Sequence, residues 1–185
     1  PQGLKGLAEK IERMGLKFGL WFEPEMISPD SDLYREHPEY AVQVPGREPS
    51  QGRHQLVLDL CREEVRDYIV ESVGRILDEV PISYVKWDMN RHMSDVFSQT
   101  LTVMPPDSQC GQSRQGEFFH RYIIGLYDVL GRIFGPRPEV LLESCASGGN
   151  RFDLGMLCYS PQIWTSDNID PIERLMIQGG MSLFY

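Results

Sequence analysis

The stretch Pro81-Ile82-Ser83-Tyr84-Val85-Lys86-Trp87-Asp88-Met89-Asn90-Arg91 decides how this chain folds on paper. An apolar run of strand type leads directly into a lysine and an aspartate, the way a parallel α/β barrel delivers a carboxylate to the end of a buried strand. Side chains alternate along a strand, so Lys86 and Asp88 share one face and Trp87 takes the other. Two readings fit the hexapeptide Lys86 to Arg91 equally well: a structural ion pair lining a barrel interior, or a carboxylate nucleophile beside a cation.

Outward from this strand the pattern repeats. Before it, residues 63–79 carry Val65, Ile69, Val73, Ile76 and Leu77 at helical spacing, behind an apolar run at 55–60. Further back, Leu4, Leu7, Ala8, Ile11 and Met14 mark a helix over 4–14, Gly15 stops it, and 16–22 is a short apolar run of strand type. After it come a helix at 117–134, a strand at 140–143, a loop with a short helix around 152–158, a strand at 162–165 and a helix at 171–181. Short buried strands alternating with amphipathic helices predict parallel α/β architecture with right-handed crossovers. No Gly-x-Gly-x-x-Gly or Walker pattern opens a helix, so the phosphate-binding signature that would favour an open doubly wound sheet is missing. A complete (β/α)8 barrel takes about 250 residues. The 185 residues here suffice for one sizeable core and predict only part of such a barrel.

With 41% hydrophobic, 24% charged and 10% aromatic residues, the composition is that of a folded globular protein. A formal net charge of −9 and the lack of a basic cluster interleaved with aromatics argue against a nucleic-acid partner. No apolar stretch approaches the length of a spanning helix, and the start shows no signal-peptide architecture, so no membrane partner is expected. Cys61, Cys110, Cys145 and Cys158 match neither a zinc module nor a disulfide framework, and reduced thiols in a cytoplasmic protein are the expectation. Two irregular stretches, 23–53 and 93–116, exceed ordinary connection lengths. Each reads as a binding loop, and the second, rich in Ser, Gln and Pro, equally as an insertion without a chemical role.

Polar residues gather after the candidate strands: Glu23 and Glu25, then Asp59, Asp88, Glu143 with Ser144 and Cys145, and Asp167 with Asn168. That is the catalytic end of a parallel barrel. Asp88 and Asp167, with one further strand between them, form the kind of pair that glycoside hydrolysis needs, one ionised and one protonated. Lys86 would favour ionised Asp88, and desolvation beside Trp164 would keep Asp167 protonated. Trp21 and Trp164 could stack on a sugar face, whereas Trp87 belongs to the core. Gly148-Gly149 allows close backbone approach or a tight turn. Cys145 reads as a packing or hydrogen-bonding thiol, and Asp59 and Glu143 as satisfied structural carboxylates. His37, His54, His92 and His120 show no metal-ligand spacing. Two rivals stay open: a divalent-metal barrel isomerase or lyase using Glu25, Asp59, Asp88 and Glu143 as ligands with Lys86 as base, and a sugar-binding module without turnover.

Five segments together carry a resemblance: Trp21-Phe22-Glu23-Pro24-Glu25-Met26; Gly52-Arg53-His54-Gln55 leading into Leu58-Asp59-Leu60; Tyr84 to Arg91; Glu143-Ser144-Cys145-Ala146-Ser147-Gly148-Gly149-Asn150-Arg151-Phe152-Asp153; and Trp164-Thr165-Ser166-Asp167-Asn168. In this order they resemble a family 36 glycoside hydrolase, an α-galactosidase of the bacterial melibiase type. The resemblance implies a retaining enzyme that removes terminal α-galactosyl units from melibiose- and raffinose-type oligosaccharides, with no cofactor and no metal. It implies Asp88 as nucleophile, Asp167 as acid and base, and Arg53, Lys86, Asn90, Cys145, Gly148 and Trp164 as lining of the galactose pocket. It also implies that residues 1–185 are an internal part of the catalytic barrel, about strands three to six. The N-terminal β-sandwich, the early and late barrel strands and the C-terminal β domain of full-length members would lie outside it, and a homo-oligomer is an expectation for the full-length protein. Such a piece is expected to be poorly active alone. No family motif accounts for 108–116.

Overall fold

The computed structural model describes residues 3–103 and 112–183. In chain order the elements are α1 (Gly3–Arg13), β1 (Gly19–Phe22), β2 (Met26–Ile27), α2 (Asp32–Glu36), β3 (Leu56–Val57), α3 (Glu63–Glu79), β4 (Tyr84–Trp87), β5 (Thr102–Val103), β6 (Gln112–Ser113), α4 (Phe118–Phe134), β7 (Leu141–Ser144), α5 (Leu154–Leu157), β8 (Gln162–Ile163) and α6 (Pro171–Met181). Local chemistry explains several boundaries. Glu63 and Glu64 lie in the first turn of α3, where carboxylates complement the helix dipole. Asp170 caps α6 by accepting from the Ile172 and Glu173 backbone amides, and Pro171 at the first helical position supplies a preset φ.

The chain forms two units. The first takes Pro1–Pro24, Val73–Asn90 and Ile133–Tyr185; the second takes Glu25–Ser72 and Arg91–Arg132. In the first unit, β1, β4, β7 and β8 make a parallel sheet in that order, each strand added beside its predecessor. The register sets Trp21 beside Lys86 and Lys86 beside Glu143. Val85 and Trp87 are fully buried, with the Trp87 indole edge-on to Phe134 at 6.2 Å. Lys86 and Asp88 share the opposite face, as the two-residue period requires.

The second unit corrects one expectation. The run 55–60 is not a strand of the parallel series: β3 pairs antiparallel with β2, Met26 opposite Val57 and Ile27 opposite Leu56. The segment after β1 folds back as a short ribbon, because the chain from Glu25 onward packs into its own core with Leu56, Leu58 and Leu60. That core includes Phe118, Tyr122, Leu126 and Leu130, a helical stripe of α4 at spacing four. At Gly125 the helix approaches the Leu60 carbonyl so closely that a Cβ would lie 2.2 Å from its oxygen. The stretch 93–116 is partly ordered as the antiparallel pair of β5 and β6. Cys110 and the first part of 108–116 lie outside the described residues.

Candidate active site

The strand ladders of the first unit run one residue past the strands and thereby set the site. The Asp88 amide donates to the Phe22 carbonyl at 2.9 Å, the Cys145 amide to the Trp87 carbonyl at 2.8 Å, and the Trp164 amide to the Ser144 carbonyl at 2.9 Å. Asp88, Cys145 and Trp164 therefore sit at the C-terminal ends of adjacent parallel strands, where a fold of this kind keeps its chemistry.

Asp88 is 5% exposed, and both its oxygens are taken. Oδ2 accepts from the Trp21 indole Nε1 at 3.1 Å and from the Asn90 amide at 2.6 Å; Oδ1 accepts from the Met89 backbone amide at 2.9 Å. The Cys145 thiol donates to the same carboxylate. Burial pushes the Asp88 carboxyl up, but the bonds from Cys145, Trp21, Asn90 and Met89 outweigh it and hold the group below the usual aspartate value. Lys86 is not among those bonding partners. Its ammonium is instead 3.4 Å from Glu143 Oε1, its neighbour across the sheet, and 4.2 Å from the centre of the Trp164 ring.

Cys145 is buried, and that burial pushes its thiol up to about 11, the Gly148 backbone amide working against the rise and the Asp88 carboxylate adding to it. A thiol so placed is a donor rather than a nucleophile. Asn90 is fixed from three sides: its backbone amide donates to Glu23 Oε1 at 3.2 Å, its side-chain amide to Asp88, and its side-chain carbonyl accepts from the Ser147 hydroxyl at 3.2 Å. Ser147 adopts φ 52 and Gly148 φ 86, so the loop after β7 turns through the left-handed region. A Cβ on Gly148 would lie 3.1 Å from the Ser166 Cα, which shows how closely this loop meets the segment carrying Asp167.

Asp167 is exposed, and its Oδ1 accepts from the Trp164 indole Nε1 at 2.6 Å. Arg174 lies 5.2 Å from the Trp164 ring, on the helix that follows. Glu143 is a satisfied carboxylate, as the sequence suggests, with Tyr84, Gln162 and Lys86 as partners.

Arg53 belongs to the second unit. It and His54 adopt φ 55 and 59 in a turn closed by reciprocal backbone bonds between Gly52 and Gln55. Two successive non-glycine residues in that region are a strained arrangement of the sort that binding sites retain. Arg91 braces the turn, donating to the Ser50 carbonyl at 2.8 Å and also to Gln55. Asp59, also here, accepts from the Ser98 hydroxyl at 2.6 Å and the Cys61 amide at 3.0 Å, and burial pushes its carboxyl up despite those bonds. Glu25 accepts from the Tyr122 hydroxyl at 2.8 Å. The four carboxylates of the metal-dependent rival thus divide between two units and hold protein partners. Among the described residues no three His, Cys, Asp or Glu side chains gather as metal ligands.

The hexapeptide pointed to Asp88, Lys86 and Asn90, but sequence reading missed the Trp21 bond to Asp88, the Ser147 bond to Asn90 and the bracing role of Arg91. Trp21 had a signal, its place at a strand end level with the aspartate. Ser147 and Arg91 had none beyond lying inside motifs.

The structure has close counterparts. Over 185 residues the chain is 54% identical to alpha-galactosidase AgaA of Geobacillus stearothermophilus and 52% identical to alpha-galactosidase Mel36A of Lactobacillus acidophilus, covering all of this chain and 24% of each relative. The crystal structure of the GH36 enzyme AgaA superposes with a TM-score of 0.90 at 54% identity, again over 100% of this chain and 24% of that one. A variant of AgaA crystallised in complex with raffinose gives the same TM-score at 53% identity. The chain spans 24% of the length of these relatives. The Melibiase family model matches residues 1–185, and the parallel sheet with its strand-end carboxylates agrees with that match: the chain belongs to the Melibiase family.

Proposed function

We propose that this chain is the part of a retaining α-galactosidase barrel that carries both catalytic carboxylates, Asp88 as nucleophile and Asp167 as acid and base. The observation that carries the reading is Asp88 itself: a buried carboxylate, held below the usual aspartate value by four donors, at the end of a parallel strand. A nucleophile must be ionised and fixed in direction, and donors on both oxygens do both. In the first step an Asp88 oxygen bonds to the anomeric carbon, the glycosidic C–O bond breaks, and its electron pair goes to the leaving oxygen, which takes the proton of Asp167. In the second, Asp167, now ionised, takes a proton from water; the water oxygen bonds to the anomeric carbon and the ester bond to Asp88 breaks.

Lys86, Asn90, Cys145, Gly148 and Trp164 line the sugar pocket in this reading, and terminal α-galactosyl units of melibiose- and raffinose-type oligosaccharides are the substrates. The names and ligands of the relatives favour that class: alpha-galactosidases, one crystallised with raffinose and another with stachyose. The strand order, each parallel strand beside its predecessor without reversal, favours a singly wound barrel, of which these would be about strands three to six.

Asp88→Gly in the full-length protein tests the reading. Hydrolysis of p-nitrophenyl α-galactoside is expected to disappear, and azide to restore consumption of substrate as β-galactosyl azide, small anions entering where the carboxylate stood. Full activity in Asp88→Gly, or no azide product from an inactive variant, overturns it.

A further inference from the structure

We propose that Glu143 is a positioning residue for substrate binding, acting through Lys86. The inference rests on the α-galactosidase reading and assigns a task to a carboxylate that the two-step reaction does not use.

Glu143 lies on β7, 5% exposed, with a hydroxyl, an amide and an ammonium as partners. Its Oε2 accepts from the Tyr84 hydroxyl on β4 and from the Gln162 amide on β8 at 2.9 Å. Those two bonds fix the rotation of the carboxylate and leave Oε1 aimed at Lys86, 3.4 Å away on β4. Lys86 is thereby held between a carboxylate and the face of Trp164, 4.2 Å from the ring centre, a two-sided clamp that places one ammonium in one position. Trp164 in turn donates to Asp167. Glu143 thus connects three strands and fixes a cation beside the catalytic pair, without touching Asp88 or Asp167 in any bond the structure gives.

A neutral amide at 143 cannot replace the carboxylate for Lys86: with its NH2 toward the ammonium the contact turns repulsive, and with its oxygen there, Tyr84 and Gln162 turning to accept from the NH2, the lysine loses its counter-charge. Freed from Oε1, Lys86 regains its rotamers and the sugar must reorder it on binding.

The test uses the full-length protein with p-nitrophenyl α-galactoside, KM and kcat being measured separately. Glu143→Gln is expected to raise KM about tenfold, the loss of one well-placed contact to substrate. The double variant Glu143→Gln, Lys86→Met is expected to match Lys86→Met alone, because Glu143 acts only through the lysine. Should Glu143→Gln fail to fold, Tyr84→Phe loosens the same carboxylate at conserved volume. It is expected to raise KM about threefold with Lys86 present and to leave KM unchanged in the Lys86→Met background. Additive effects in either pair, or a fall in kcat at unchanged KM, overturn the proposal while leaving the galactosidase reading intact. A wild-type protein without α-galactosidase activity overturns both.

Discussion

Replacing Trp21 by phenylalanine removes one hydrogen-bond donor from Asp88 while keeping an aromatic ring in place. The indole Nε1 donates to Asp88 Oδ2 at 3.1 Å, and it is one of four bonds that hold the carboxyl low against the opposing effect of burial. A hydrogen bond to a charged group contributes about 1.5 to 3 kcal/mol. Trp21 is 48% exposed, so water replaces part of what the indole supplies, and the lower end applies, about 1.5 kcal/mol. Since about 1.4 kcal/mol is a factor of ten in an equilibrium constant, the variant's Asp88 binds its proton about tenfold more tightly. The donor favours the ionised form, so its loss moves the acid limb of kcat/KM to higher pH, because that limb reports protonation of the nucleophile in the free enzyme. The assay is the pH profile of kcat/KM for p-nitrophenyl α-galactoside in full-length wild type and Trp21→Phe, with circular dichroism to verify folding. Folded Trp21→Phe with an acid limb that coincides with the wild type refutes the reasoning, since Asp88 would then owe nothing to the indole.

Asp167→Ala is expected to lower kcat/KM for raffinose by about a hundredfold or more, and much less for a dinitrophenyl α-galactoside whose leaving group needs no proton; equal losses on both substrates count against Asp167 as the acid. Gly148→Ala forces a Cβ to within 3.1 Å of the Ser166 Cα at φ 86, so a destabilisation of about 1 to 3 kcal/mol and a lower thermal unfolding midpoint are expected, which calorimetry checks. Cys145, buried and pushed up to about 11, is expected to resist iodoacetamide at neutral pH in the native protein and to react fully in urea; mass spectrometry reads the difference. The 185-residue chain by itself is expected to turn over p-nitrophenyl α-galactoside poorly. Ile172, Leu175 and Met176 of α6 are 72 to 76% exposed in it, an apolar helix face without cover, and a rate comparable to the full-length protein sinks that expectation.

Much of the parallel layer was legible because strand and helix periods are local. α3 and α6 span 63–79 and 171–181, the bounds read from the sequence, and β4 follows from the run ahead of Lys86. The 55–60 segment misleads because an apolar run does not reveal its partner: parallel and antiparallel pairing use the same residues, and only the return of the chain after Glu25 makes the difference. The site was legible as a set of residues and not as a set of bonds. Lysine and aspartate two residues apart suggested an ion pair, yet the cross-strand register set Lys86 against Glu143 rather than against its neighbour in sequence.

The sequence alone determined that Asp88 stands at a strand end with Lys86 on the same face and Trp87 on the other, since a period of two is a property of the backbone. It also determined the family, because five motifs in order are a linear pattern. Only the tertiary structure decided which groups hold Asp88 ionised, that Trp164 donates to Asp167, and that Lys86 answers to Glu143. Those are distances between side chains, and a pKa depends on distance and burial, which no spacing along the sequence records.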